Sequence, residues 1–207
     1  MNREKKSEFI RKSLLNAAGV LFIQNGFEKT KVDDIAKKAD LSKATFYAYF
    51  KSKDELLDTM LLLQLKEVNS DVKKLIDEHI GKRNCFIAIC KMFVEVSRKN
   101  PVCYRRMLDY FGISYDSSTP ELYQSILEEA RTLNNTLYDA MKKYGLTKLF
   151  DENSPDKAVF YLWTSVTGII SIAQRKCALI NALYGISGDE FLNFAFTQLY
   201  KSATDEE

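Results

Sequence analysis

The sequence predicts an all-α protein of nine helices, and three observations carry that expectation. The 207 residues include only 8 glycines and 3 prolines, against usual frequencies of roughly 7% and 5%. That leaves too few turn residues for a sandwich, a barrel or a multi-stranded α/β sheet. With 46% hydrophobic and 28% charged side chains, the chain has enough apolar residues to bury a core in one or two domains, which rules out disorder as the bulk state. Apolar residues recur at three and four in the opening segment, and helix-cap signals recur along the rest.

The elements follow in order. Phe9, Ile10, Leu14, Ala17, Ala18, Leu21 and Phe22 make one apolar stripe on an amphipathic helix. Gly26 closes it, because glycine enters the left-handed conformation of a helix end without a Cβ penalty. Thr30 with Asp33 reads as a capping-box-like start for a short helix that buries Val32, Ile35, Ala36 and Ala39. Asp40-Leu41 makes a tight turn, and Ser42 caps the next helix, Lys43 to Tyr49, with Phe46 and Phe50 inward. Ser52 with Glu55 opens a long helix through Leu56, Leu57, Met60 and Leu63 to about Ile80.

Further starts are marked at Asn100-Pro101, Thr119-Pro120, Ser154-Pro155 and Ser187 with Glu190, each proline sitting where a first helical residue has no N–H to lose. With Gly81, Gly112, Gly145 and Gly185 near helix ends, these give helices at roughly 82–99, 101–111, 120–144, 155–180 and 187–202.

Charge is unevenly placed. Through Lys53 there are 12 basic and 6 acidic residues, then 18 basic and 22 acidic, so +6 is followed by −4 within a net +2. A basic amino-terminal quarter suits a polyanion partner, since Lys and Arg gain affinity by displacing counterions from phosphates; a solvated charged face is the plainer alternative.

A long helix, a short helix, a tight turn and another short helix outline a helix-turn-helix in a small bundle. The run LLNAAGVLFIQNGFEKTKVDDIAKKADLSKATFYAYFKSKDEL, from Leu14 to Leu56, closely resembles the DNA-binding domain of the TetR family of transcriptional regulators. The resemblance implies a TetR-like nine-helix fold: a DNA-binding domain over 7–67 with its helix-turn-helix at 31–50, and a ligand-binding and dimerisation domain over 68–205. It implies a homodimeric regulator, most often a repressor, acting on a palindromic operator and released by a small effector. The alternative is a helical small-molecule binder without DNA recognition.

On the recognition helix, Ala44 and Thr45 are small enough for close approach to the major groove and suit a thymine methyl, and Thr45 can also bond a base edge. Lys43 reaches a guanine or a phosphate. Tyr47 and Tyr49 are read as phosphate contacts, with half-buried packing as the alternative for each. Thr30, Lys31 and Lys53 lie at helix starts and are expected to clamp the DNA backbone; Arg3, Lys5 and Lys6 read as a solvated tail.

By the same resemblance the last two helices form the dimer interface, through Trp163, Val166, Thr167, Ile170, Phe191, Phe194 and Ala195, against the alternative of a monomer core. An effector pocket is expected among Phe86, Cys90, Phe93, Tyr104, Met107, Tyr110, Phe111, Tyr123 and Trp163. That pocket suits a largely apolar molecule, with Arg105 and Arg106 as possible partners for an anionic one, although aromatics at helical spacing also make plain core.

A single histidine, His79, excludes histidine-pair zinc motifs and triads, and it is expected at the surface or a helix end. No Gly-rich phosphate loop or metal-ligand cluster appears, so neither an enzyme nor a cofactor is expected. Cys85, Cys90, Cys103 and Cys177 form no C-x-x-C pair, and the first residues are charged, unlike a signal peptide. They read as reduced core thiols of a cytoplasmic protein. The longest apolar run, Met60 to Leu63, is far short of the ~20 residues a membrane helix needs.

Overall fold

A computed structural model of the chain describes residues 3–78, 81–109, 119–146, 148 and 155–204. Among them are nine α-helices and no strand: α1 (Arg3–Asn25), α2 (Val32–Lys38), α3 (Lys43–Tyr49), α4 (Lys53–Asp77), α5 (Lys82–Lys99), α6 (Pro101–Asp109), α7 (Pro120–Tyr144), α8 (Pro155–Tyr184) and α9 (Gly188–Ala203). No helix among the described residues is long and apolar enough to cross a membrane.

The chain forms two compact units, residues 1–67 with 96–129, and residues 68–95 with 130–207. Where the sequence expects two contiguous domains meeting after residue 67, each unit is discontinuous in the chain, with 96–129 joining the amino-terminal one. The reason is packing: α6 lies against α1, and Cys103 is buried in the same core as Leu14, Phe22, Ile35, Phe46 and Phe50.

Local chemistry sets most helix ends. Gly26, Gly145 and Gly185 follow α1, α7 and α8 with φ of 77°, 72° and 67°, a region that costs a Cβ-bearing residue roughly 1–2 kcal/mol. Ser42 Oγ accepts the Thr45 amide at 3.0 Å, Ser52 Oγ accepts the Glu55 amide at 3.0 Å, and Ser187 with Glu190 closes a full capping box. Thr119 Oγ1 likewise accepts the Leu122 amide.

Several expectations shift. The cap of α2 is one residue later than expected: Lys31 takes the N-cap, and its amide donates to Asp34 at 3.2 Å, because Thr30 is drawn inside. The amino-terminal Arg3, Lys5 and Lys6 belong to α1 and form no separate tail. The buried stripe of α1 starts at Leu14, a turn later than expected, and Phe9 is exposed. On α4, Leu56 and Leu57 are buried as expected and Leu61, Leu65, Val68 and Val72 continue the inward face, while Leu63 is exposed, since an α-helix returns to a face every three to four residues. The α8 helix runs on to Tyr184, and Cys177 is exposed on it, unlike the other three cysteines. His79, Tyr110, Phe111, Gly112 and Ser154 lie outside the described residues.

Candidate nucleic-acid interface and candidate ligand cavity

The short helix α3 presents its outer face because its inner one is fully committed. Phe46 and Phe50 are buried with rings 5.9 Å apart, and Arg11 covers the Phe50 ring from α1, its guanidinium 4.7 Å from the centroid. That anchoring leaves Lys43, Ala44 and Tyr47 exposed on one side of the helix and Thr45 partly so. The Thr45 hydroxyl lies 2.8 Å from Ser42 Oγ, so the cap orients it. Tyr47 stands edge-on to Phe46 at 5.4 Å, whereas Tyr49 packs partly against the core.

Lys43 makes an exposed ion pair with Asp33 of α2 at 3.0 Å, and that hydrogen bond and charge raise the ammonium's pKa. It joins the two helices of the motif, although an exposed pair of this kind adds little to stability. Lys31 is exposed. Thr30 and Lys53 differ from expectation. Thr30 is 1% exposed, and its hydroxyl donates to the Gly26 carbonyl at 2.8 Å. The Lys53 ammonium donates to the carbonyls of Phe27 at 2.7 Å and Thr30 at 3.0 Å.

In the carboxy-terminal unit, α5, α7 and α8 enclose a cavity of about 60 Å³. Of the residues expected to line a pocket, Phe86, Cys90, Phe93 and Trp163 do so, Trp163 standing edge-on to Phe93 at 4.9 Å. Tyr104, Met107 and Tyr123 belong to the amino-terminal unit and do not. The sequence reading missed Leu137, Ala140, Met141 and Tyr144 of α7 and Val159 and Leu162 of α8. It weighted aromatic content; the i, i+3, i+4, i+7 spacing of Leu137, Ala140, Met141 and Tyr144 was the available signal.

Among the described residues, no charged side chain lines the cavity. Arg106 is buried elsewhere, its Nε 2.8 Å from Asp58, and Arg105 makes an exposed pair with Asp109. At one wall the Tyr144 hydroxyl donates to the Ile76 carbonyl at 3.0 Å, and Cys85 Sγ donates to the Leu75 carbonyl at 3.5 Å. Both carbonyls are in the last turn of α4, where the helix supplies no partner of its own. Burial, with Cys85 beside it, pushes the Tyr144 hydroxyl pKa up to about 12.

The expected interface residues also divide. Val166 and Ile170 are buried inside the unit, and the half-buried Trp163 lines the cavity. Thr167, Phe191 and Ala195 are half-buried, and Phe194 is 63% exposed. The apolar surface of α8 lies instead on Phe160, Ile172, Leu179 and Leu183.

A short helix held outward by a three-helix core, preceded by a second short helix and a tight turn, defines a helix-turn-helix protein. The sequence model of bacterial regulatory proteins of the tetR family matches residues 14–60. The uncharacterized HTH-type transcriptional regulator YhgD of Bacillus subtilis is 41% identical over 58 residues, which is 28% of this chain and 30% of the relative. That alignment therefore spans less than a third of the relative's length. The HTH-type transcriptional regulator RutR of Escherichia coli O157:H7 is 27% identical over 176 residues, 83% of this chain and 79% of RutR. Among solved structures, the transcriptional regulator FadR of Bacillus subtilis in complex with stearoyl-CoA superposes with a TM-score of 0.57 at 18% identity, covering 92% of this chain and 98% of that one. Residues 14–60 thus carry the match to the tetR family's helix-turn-helix region, and the chain shares the all-helical fold of FadR along its length.

Proposed function

We propose that this protein is a ligand-responsive transcriptional regulator, a repressor that binds a palindromic operator as a homodimer and acts without chemistry of its own. The observation that carries the reading is the outer face of α3. It is a small-residue surface, Ala44 and Thr45, flanked by Lys43 and Tyr47 and held by two buried phenylalanines in the basic part of the chain. Such a face approaches base edges closely, with Thr45 and Lys43 reading bases and Lys31, Tyr47 and Tyr49 meeting phosphates. Seven helical residues extend only about 10 Å, roughly three base-pair steps. Two copies on a symmetric site supply the missing specificity, and the exposed Phe160, Ile172, Leu179, Leu183 and Phe194 give the second copy an apolar face to cover.

The effector that fits the cavity is small, neutral and apolar. FadR was solved with stearoyl-CoA, but among the described residues the cavity here offers no cation to a phosphate or carboxylate. At about 60 Å³ it is also smaller than the ~150 Å³ that takes a benzene, so it widens on filling. An effector releases DNA only by binding the released conformation more tightly.

Selection of bound duplexes from a random library at low salt, followed by footprinting, tests the reading. An inverted repeat with half-sites one helical turn or a multiple apart is expected. Failure to enrich any duplex favours the small-molecule binder without DNA recognition. The sole tryptophan, Trp163, lies in the cavity wall, so its fluorescence reports filling by a neutral, non-fluorescent probe such as cyclohexanol.

A further inference from the structure

Two side chains placed by sequence at the DNA backbone are turned onto the loop between α1 and α2. From the start of α4, Lys53 Nζ donates to the carbonyls of Phe27 at 2.7 Å and Thr30 at 3.0 Å, with Glu28 at 3.5 Å. The same ammonium lies 4.2 Å from the centroid of the Phe27 ring. An ammonium has three N–H donors, and three carbonyls of one loop take them. The Phe27 ring in turn stands edge-on to the buried Phe22 at 5.2 Å. Thr30 closes the loop from its far end, its hydroxyl reaching the carbonyls of Gly26 at 2.8 Å and Leu21 at 3.4 Å.

We propose that Lys53 is a positioning residue for operator binding and not a phosphate contact: it fixes the loop from Phe27 to Thr30, and through it the place of Lys31 and the start of α2. Swinging the ammonium out to a phosphate strips partly buried carbonyls of their donor, and an unmade hydrogen bond at such a site costs more than the bond itself contributes. The cation also gives up the Phe27 face. Lys31, which follows the loop directly and is exposed, is the residue whose reach the clamp sets. The inference rests on the DNA-binding reading above.

The test uses the full chain and its selected duplex, with affinity measured across a salt series and amide hydrogen exchange measured on the free protein. For Lys53→Met, affinity falls about tenfold, the slope of log affinity against log salt flattens by no more than it does for Lys31→Ala alone, and the Phe27–Thr30 amides exchange faster. Lys31→Ala then costs less in the Lys53→Met background than in the wild type, because the clamp acts through Lys31. A slope in the Lys31→Ala, Lys53→Met double variant flatter by about 0.9 per half-site than in Lys31→Ala alone, the signature of a second lost phosphate contact, overturns the proposal. So do equal Lys31→Ala losses in both backgrounds.

Should Lys53→Met not fold, Lys53→Arg decides. It keeps the charge, but a planar guanidinium does not aim its donors at the same three carbonyls. Faster loop exchange with weaker binding is expected, and wild-type exchange with wild-type affinity overturns the clamp. If the wild-type protein binds no duplex in a salt-dependent way, the functional reading fails, whereas exchange in the free protein still reports on the clamp.

Discussion

Arg106 on α6 and Asp58 on α4 form a buried ion pair, 8% and 0% exposed, with Nε 2.8 Å from Oδ1. Asp54 lies at the edge of the same group, 3.9 Å from Arg106 Nη2. Replacing Arg106 by methionine preserves much of the side-chain volume but leaves the Asp58 carboxylate buried without its cation. Breaking one side of a buried pair costs about 3–5 kcal/mol, a large part of the 5–15 kcal/mol that holds a typical domain folded. Asp58→Asn costs less, about 2 kcal/mol, because Asp54 still faces the guanidinium and the amide keeps an acceptor. The double variant Asp58→Leu with Arg106→Met removes both charges and returns to within about 1 kcal/mol of wild type. Urea unfolding followed by circular dichroism measures these proteins together with Asp58→Leu alone, which closes the double-mutant cycle and gives the coupling. If Arg106→Met alone unfolds within about 1 kcal/mol of wild type, the pair is not the tie between α6 and α4 that its burial indicates.

Four further outcomes are expected. Leu183→Asp and Phe194→Asp give a folded monomer by sedimentation, since both side chains are exposed in the protomer, whereas Val166→Asp unfolds it; a dimer that survives the first two places the interface elsewhere. At pH 8 one thiol per chain, Cys177, reacts rapidly with Ellman's reagent, because burial raises the pKa of Cys85 and Cys90 and pushes Cys103 up to about 12. Cys103 is thus raised above its ordinary 9.0, so the stability it contributes is complete below pH 9 and is lost as pH climbs toward 12, which pH-dependent unfolding would register. Ser42→Ala removes the cap of α3 and costs about 1 kcal/mol in urea unfolding, with a matching change in base preference if Ser42 also orients Thr45.

What the sequence determined by itself is local. Helix identity, the turn at Asp40, the stops at Gly26 and Gly185 and the caps at Ser42 and Ser187 depend on residues within one turn of each other. Backbone donors left unpaired at a helix end must be met by whatever is adjacent. The commitment of Phe46 and Phe50 to the core followed from their four-residue spacing, and the outward face of α3 followed from it. Tertiary structure decided where each side chain finds its partner. Lys53 meets carbonyls 23 and 26 residues away, and Arg106 meets a carboxylate 48 residues away. Both had read as cations free for phosphate or ligand, because charge is legible in a sequence while its neutralisation by a distant acceptor is not. Val166 and Ile170 followed the same logic: periodicity marked them as apolar-face residues, and only the packing of the unit settled that they are buried within the protomer.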